Sequence, residues 1–391
     1  MNYYDVVVVG AGLAGLQVAR LLGRQGKRVL LVDRKPGVET AVHTTGIFVR
    51  KTLEDFAFPE DCLGPPIRQV TLYSPSRQTL ELRSPRDEFR IGRMRQLYAR
   101  SLNHCLRNGV EWWPQTSYEG HESSQTQLVV RLRSRKASRP VRTRFLIGAD
   151  GANSKVARNL GLGLNHEWIV GLEEVFANVP LAGEPRLHCF LDSRIAPGYL
   201  AWVAIDGEEA HVGVGGYPER FDPQTALEIF RESLNGIVAL ERAQLIERRG
   251  GRIPVGGVLR NIANPSGLLV GDAAGAVSPL TAGGLDPCLR LSTYAAQATI
   301  RYLDTENPDE LKAYCGNLFR PRFLTRLWLR RLLRNLQQPW LLEPAFQMLR
   351  LPLVNQVAWQ IFFGRGSFPV MEERFDPLRS IEASELLDEL R

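Results

Sequence analysis

The segment "YYDVVVVGAGLAGLQVARLLGRQGKRVLLVDRK", residues 3–35, reads as strand, glycine turn, helix and second strand. Val6–Val9 is an unbroken β-branched run, the pattern of a strand buried on both faces rather than one half exposed. Leu13, Leu16, Val18, Ala19, Leu21 and Leu22 give the helix an apolar face, and Val29–Val32 supplies the next strand. About thirty residues for the whole unit is the length of one parallel crossover.

Gly10-x-Gly12-x-x-Gly15 falls between that first strand and its helix. Gly10 permits the tight turn, Gly12 lets a pyrophosphate approach the main chain, and Gly15 allows helix and strand to touch. Leu13 and Ala14 open the helix, whose free N–H groups and partial positive charge suit phosphate oxygens. Asp33 ends the second strand, eighteen residues after Gly15, where it can accept from a ribose diol, with Arg34 beside it. These residues predict a dinucleotide site; by themselves they do not separate one dinucleotide from another.

Two later acids stand in similar settings. "FLIGADGANSKVARNLGL" (145–162) ends a buried strand at Asp150-Gly151 and opens a helix through Asn153 and Ser154, which also suits a plain helix cap. "GLLVGDAAGAVSPLTAGGL" (267–285) carries a lone acid, Asp272, among small and apolar residues. Its five glycines and that acid argue against a lipid-exposed helix. The reading is a strand ending at Gly271-Asp272, a helix start with nothing bulky in it, and a second turn set by Pro279 and Gly283-Gly284-Leu285.

The three motifs in this order resemble the flavoprotein hydroxylase superfamily, the p-hydroxybenzoate-hydroxylase-like FAD fold, over roughly residues 1–300. Within it, "GGRIPVGGVLRNIANPSGLLVGDAAGAVSPLTAGGL" (250–285) and "PGYLAWVAIDGEEAHVGVGG" (197–216) are most similar to the geranylgeranyl reductases. The resemblance implies FAD as cofactor, with Asp272 on the ribitol, Gly271, Pro279, Gly283, Gly284 and Leu285 close to the pyrophosphate and flavin, and Asp150 supporting the pyrophosphate. It also implies that Thr45 and Gly46 lie near the flavin, that Arg95 reaches the FAD, and that Tyr199 and Trp202 line the substrate slot. The chain departs from the family pattern at Ala204-Ile205, at Thr281-Ala282-Gly283-Gly284, and at 42–46, which reads VHTTG with no cysteine.

The rest of the chain fits an α/β protein in which a Rossmann-like FAD-binding domain of the glutathione-reductase type interleaves with an antiparallel-sheet substrate domain. The expected FAD-binding parts are 1–66, 93–169 and 257–315; the substrate-domain parts are 67–92 and 170–256; a helical region fills 316–391. Residues 94–109 and 287–303 read as helices, 126–149 as a hairpin running into a buried strand, 170–218 as strands, and 223–250 as helical. Within 320–336, Leu324, Trp328, Leu329, Leu332, Leu333 and Leu336 fall on one arc, with Arg326, Arg330, Arg331 and Arg334 opposite. That segment suits either a helix packed on the flavin domain with its arginines in solvent, or peripheral contact with an anionic membrane.

Apolar content of 44% and charged content of 23% are those of a globular protein. The net charge of +7 comes almost wholly from arginine, since only six of the 49 basic residues are lysine. It identifies no nucleic-acid partner. Five scattered cysteines form no metal-ligand cluster and suggest a reducing compartment, so the expected location is cytoplasmic, or peripheral at the inner face of a membrane. No metal site is expected.

The resemblance implies hydride transfer from reduced flavin to a carbon–carbon double bond of an isoprenoid or similar apolar substrate, with NAD(P)H or a reduced electron carrier as transient reductant. The alternatives are a flavin-dependent hydroxylase of an aromatic or apolar small molecule, or a flavin-bearing membrane-surface protein without turnover. A halogenase is disfavoured, because no lysine occurs between residues 52 and 135. No residue is singled out as proton donor.

Overall fold

A computed structural model describes residues 1–364 apart from 125–126, 135–136, 182, 220, 241 and 336–337. The described chain forms two compact units, each assembled from three separate stretches.

The first unit comprises residues 1–43, 94–169 and 252–331. Its sheet runs in the order Ala263–Asn264, Gly267–Leu269, Ala137–Gly148, Tyr3–Val9, Val29–Val32, Glu111–Trp113. The four strands from Gly267–Leu269 to Val29–Val32 are parallel, with Val6 opposite Phe145 on one side and Val29 on the other. Val6, Val7, Val8, Phe145, Leu146 and Ile147 have no solvent exposure, as expected of strands covered on both faces. The helix Leu13–Arg24 packs against the helices Met94–Arg107 and Leu285–Thr305. A hairpin of Thr116–Ser124 and Gln127–Ser134 continues from Ala137–Gly148. The order in which successive strands are added reverses between Tyr3–Val9 and Ala137–Gly148, and ligand crevices in open α/β sheets form at such a switch point.

The second unit takes in residues 44–93, 170–251 and the described residues between 332 and 364. Its sheet has seven strands in the order Gln244–Pro254, Trp168–Ala177, Glu209–Gly216, Ala201–Ile205, Arg186–Phe190, Gln69–Tyr73, Thr79–Arg83. Arg186–Phe190 lies parallel to Gln69–Tyr73, and the pairings on either side of these two are antiparallel. One face buries Phe190, Val203, Val212 and Val214 against Ala226, Leu227 and Phe230 of the helix Pro223–Glu232. The opposite face buries Val70, Leu72, Leu187 and Ala204 against Phe346, Ala358 and Phe363, from the helices Pro339–Met348 and Pro352–Phe363.

The first crossing between units comes at residue 43 rather than 66, because Ile47–Val49 pairs with Phe89–Ile91. Residues 316–331 group with the first unit, while the helices from Pro339 pack on the second sheet. The helical expectation for 223–250 is corrected: the helix stops at Glu232, and Gln244–Pro254 is a strand. The helix is well started, since Asp222 accepts from the N–H groups of Gln224 and Thr225 with Pro223 at its first position. The strand ends the sheet and is largely exposed, so charge occupies both of its faces and no clean alternation marks it.

The helix Leu324–Asn335 departs in part from the first of its two readings: Arg331 and Arg334 are exposed, but Arg330 is covered and much of the leucine arc is not. Phe323, Leu327 and Arg330 are buried, Arg330 being 2% exposed, whereas Leu324, Trp328 and Leu332 are 47%, 67% and 57% exposed. Phe323 and Leu327 pack at Gly257, and Arg320 donates to the carbonyls of Gly256 and Val258, which orients the segment. Leu336 lies outside the described residues.

Candidate functional site

In the first unit the acids and glycine turns gather at the carboxyl ends of the parallel strands. Gly10 has a φ of +105°, and a side chain there would meet the Ala149 carbonyl at 2.2 Å. The turn before Asp150 is thus pressed onto the glycine turn. Gly15 is equally constrained, since a Cβ would lie 1.8 Å from the carbonyl oxygen of Gly10. Gly12 has nothing within 4 Å of where its Cβ would be, so the main chain is bare at the position a phosphate needs. The helix starting at Leu13 has no side-chain cap, which leaves its first-turn N–H groups for a ligand.

Asp33 is buried, and its two oxygens accept from the N–H groups of Ala11 at 2.7 Å and Lys35 at 2.8 Å. It ties the glycine turn to the second strand and keeps lone pairs to spare for a sugar hydroxyl. Arg34 is exposed beside it, and Leu13 and Ala14 are buried in the helix start.

Asp150 has a more committed carboxylate. It accepts from the Ser154 hydroxyl at 2.5 Å and from the N–H groups of Lys155 and Val156, capping the short helix Lys155–Asn159. Burial pushes its pKa up, and those hydrogen bonds pull against the rise. Asp150 therefore shapes the turn that abuts Gly10.

Asp272 contrasts with both. It lies in a single tight turn, Gly271–Ala274, closed by Gly275, rather than in the helix start read from sequence. Burial alone pushes its carboxyl up to about 6. A Cβ on Gly271 would sit 2.8 Å from the Ala14 side chain, so this turn reaches the first helix. The Asn165 amide joins the two acid turns by donating to the carbonyls of Ala152 and Asp272, at 3.1 and 2.9 Å. Asn165 was not singled out from sequence, where nothing distinguishes it from a loop asparagine.

Pro279 is buried, Ser278 accepts the N–H of Thr281, and the Ser278 N–H donates to the Gly283 carbonyl. Ala282 holds a φ of +52° in this turn, a conformation unfavourable to any side chain. Gly284 then precedes the helix Leu285–Thr305, again without a side-chain cap. Arg95 is exposed in the first turn of Met94–Arg107.

Two uncapped helix starts, a bare glycine main chain and an acid held in apolar surroundings fit a dinucleotide that carries a polyol. Gly12 and the N–H groups after it would hold phosphate, Asp33 a ribose, and Asp272 the ribitol hydroxyls. A carboxylate so desolvated gains from hydroxyl donors.

The other predicted residues belong to the second unit. Tyr199 and Trp202 meet edge to face, with ring centroids 6.5 Å apart at 70°. Both are half-buried. The Trp202 ring lies directly on Gly213, where a Cβ would stand 2.2 Å from the indole, and Tyr199 lies on Gly215 at 2.7 Å. The alternating glycines of "HVGVGG" thus make a floor for two aromatic rings, which sequence alone does not disclose.

Beside that floor is a buried polar group. Glu173 accepts from the Trp202 indole N–H at 3.1 Å and from the Thr45 hydroxyl, and meets Nδ1 of His211 at 3.3 Å and Nη1 of Arg249 at 3.5 Å. Arg249 also donates to the Thr44 carbonyl at 3.0 Å. Burial acts to raise the Glu173 pKa; His211, Thr45 and Arg249 together outweigh it and hold the carboxyl below its ordinary range. Gly46 is buried, its N–H donating to the Thr44 hydroxyl. Asp206, Glu209 and His211 form one grouping with metal-ligand spacing among the described residues. Asp206 already caps the N–H groups of Glu208 and Glu209.

Comparison with known proteins bears on both units. Residues 102–314, more than half of the chain, match the family model described as FAD binding domain, and residues 5–180 match that of lycopene cyclase protein. A geranylgeranyl diphosphate reductase from Rhodobacter capsulatus is 27% identical over 79% of this chain and 78% of its own. A digeranylgeranylglycerophospholipid reductase from Methanocaldococcus jannaschii is 28% identical over 73% of each. Among solved structures, a geranylgeranyl bacteriochlorophyll reductase-like protein from Thermoplasma acidophilum superposes with a TM-score of 0.79, covering all of both chains at 23% identity.

Proposed function

Since the chain belongs to the FAD binding domain family and is an FAD-dependent oxidoreductase, we propose that it saturates carbon–carbon double bonds of an isoprenoid chain. The observation that carries this reading is the half-buried pair of Tyr199 and Trp202 laid on Gly213 and Gly215. A flat apolar surface suits a prenyl chain, which offers dispersion contacts and little to hydrogen-bond. The names of the relatives from Rhodobacter and Methanocaldococcus support the same substrate class. When bound and reduced, FAD supplies the hydride; the protein's part is to orient the double bond and keep water away. We assign the reducing equivalents to NAD(P)H or a reduced electron carrier acting transiently.

The test is anaerobic. Protein reduced with dithionite and mixed with geranylgeranyl diphosphate should regain the yellow of oxidised flavin and yield a product two mass units heavier, without oxygen. No prenyl reduction in that assay, with oxygen incorporation into an aromatic substrate in a parallel assay in air, would replace this reading with a hydroxylase.

We also propose peripheral contact with an anionic membrane through 320–336. No described helix is long and apolar enough to cross a bilayer. Support comes from the exposed Leu324, Trp328 and Leu332 with exposed Arg322, Arg331 and Arg334 on the same segment. Apolar and cationic groups presented together suit a lipid interface. Flotation with vesicles containing phosphatidylglycerol should carry the protein upward, and Trp328→Ser should weaken this several-fold at unchanged stability. Equal recovery with neutral vesicles, or none with either, removes the proposal.

A further inference from the structure

Glu173 has four donors for two oxygens. Oε2 takes the Thr45 hydroxyl and the Trp202 indole N–H; Oε1 faces His211 Nδ1 and Arg249 Nη1. A carboxylate offers about four lone-pair directions, so this one is saturated. Its partners come from four separate stretches: Thr45 just before the strand Ile47–Val49, Trp202 on Ala201–Ile205, His211 on Glu209–Gly216, and Arg249 on Gln244–Pro254. Glu173 and His211 are nearly inaccessible, whereas Trp202 and Thr45 are only half-buried. The fixed charge is therefore inside and the groups it holds are at the surface of the unit.

We infer that Glu173 is a positioning residue for the proposed reduction, fixing the Trp202 ring and the Thr45 hydroxyl through Oε2 while His211 and Arg249 keep the carboxylate from turning. The inference rests on the reading of Trp202 as part of the substrate slot. A tryptophan lying on two glycines has van der Waals contact beneath it but nothing from that floor to stop it sliding or rotating in its own plane. The indole N–H bond to Glu173 removes that freedom, and a hydrogen bond to a charged acceptor is among the stronger ones. The His211, Thr45 and Arg249 interactions keep Glu173 ionised despite its burial, so the acceptor is at full charge at neutral pH. Arg249 extends the clamp to the Thr44 carbonyl, so residues 44–45 are held by main chain and side chain together. Removing the charge leaves two buried donors, His211 and Arg249, without their anion; removing only the indole leaves the rest of the clamp intact.

The test uses the full-length, flavin-loaded protein and its Glu173→Gln, Trp202→Phe and doubly substituted forms. Reoxidation of the dithionite-reduced protein by geranylgeranyl diphosphate should slow about tenfold in each single variant, with the double variant no slower than Trp202→Phe alone, because residues acting as one unit are not additive. Losses that multiply in the double variant overturn the inference. The second readout needs no activity. Emission of the parent minus that of Trp202→Phe isolates one of seven tryptophans; the same difference in the Glu173→Gln background should shift to the red and be quenched by acrylamide at least twice as efficiently. Unchanged emission overturns the inference whatever the kinetics. If Trp202→Phe reacts at the parental rate, the slot reading fails instead, and the emission arm still decides the role of Glu173. Glu173→Asp keeps the charge but withdraws it by one methylene; it takes the place of Glu173→Gln with the same expected shift should the latter not fold.

Discussion

The two units build their candidate functional surfaces from different materials. In the first, the main chain does most of the work: glycines bring turns together, helix starts are left uncapped, and side chains contribute two acids. In the second, the main chain is a regular sheet and the surface is made of side chains, two aromatic rings on a glycine floor and a carboxylate that accepts from one of them, Trp202. A main-chain site has no slack, because a turn cannot move without its strand. A side-chain site can tune its contents by single substitutions but needs an internal clamp to stay in register. Each unit should therefore be sensitive to a different kind of substitution.

The largest expected effect is in the first unit. Gly15→Ala would place a methyl 1.8 Å from a main-chain oxygen that has no rotamer to escape into. We expect a loss on the order of 4 kcal/mol in chemical denaturation and nearly complete loss of bound flavin. A variant that retains the parental flavin content and denaturation midpoint would break the claim that this site is main-chain built.

Next is the charge of Asp272. Its carboxyl is raised from 3.8 to about 6 by burial, so between those values the folded flavin-free protein holds a proton that the unfolded chain has released. Stability of that form should therefore fall as pH rises from 4 to 6 and stay flat above, the penalty reaching ~3 kcal/mol at ~1.4 kcal/mol per pH unit. Asp272→Asn should abolish that slope while weakening flavin binding at pH 7, measured by denaturation and by flavin titration. A slope of the same size in Asp272→Asn assigns the proton elsewhere.

Gly213→Ala sharpens the contrast. Its new methyl meets the Trp202 ring at 2.2 Å, but a side chain can swing away where a main-chain oxygen cannot. The cost should be about 2 kcal/mol, with flavin retained, Trp202 emission altered and prenyl reduction lost. Loss of flavin in this variant would mean that the two surfaces are not separately constructed.

The smallest effect is a gain. Ala282 holds a φ of +52°, and Ala282→Gly relieves it, so thermal stability should rise by an amount equivalent to about 1 kcal/mol. If activity falls while stability rises, the strain serves the turn beside Gly283 and Gly284.

What the sequence disclosed follows the same division. Gly10, Gly12, Gly15, Asp33 and Asp272 are recognisable because each belongs to a short contiguous pattern that main-chain geometry demands. Asn165 is invisible, since its two acceptors are turns 13 and 107 residues away. The Glu173 cluster is hidden for the same reason, as its partners converge only when the sheet and its flanking segment are paired. The strand Gln244–Pro254 was missed because an exposed end strand needs no apolar side. The orientation of Leu324–Asn335 was open because periodicity reveals two faces and not which one is covered; Phe323, Leu327 and Arg330 settle it by packing.

The interleaved chain has a consequence for synthesis. The strand Gly267–Leu269 completes the parallel sheet by pairing with Ala137–Gly148, and it leaves the ribosome only after about two thirds of the 391 residues. Until then the edge formed by Leu146, Ile147 and Gly148 is bare, a template for wrong partners. Closure of the sheet, and with it the placing of the Asp272 turn that follows Gly267–Leu269, is therefore a late event in the life of the nascent chain.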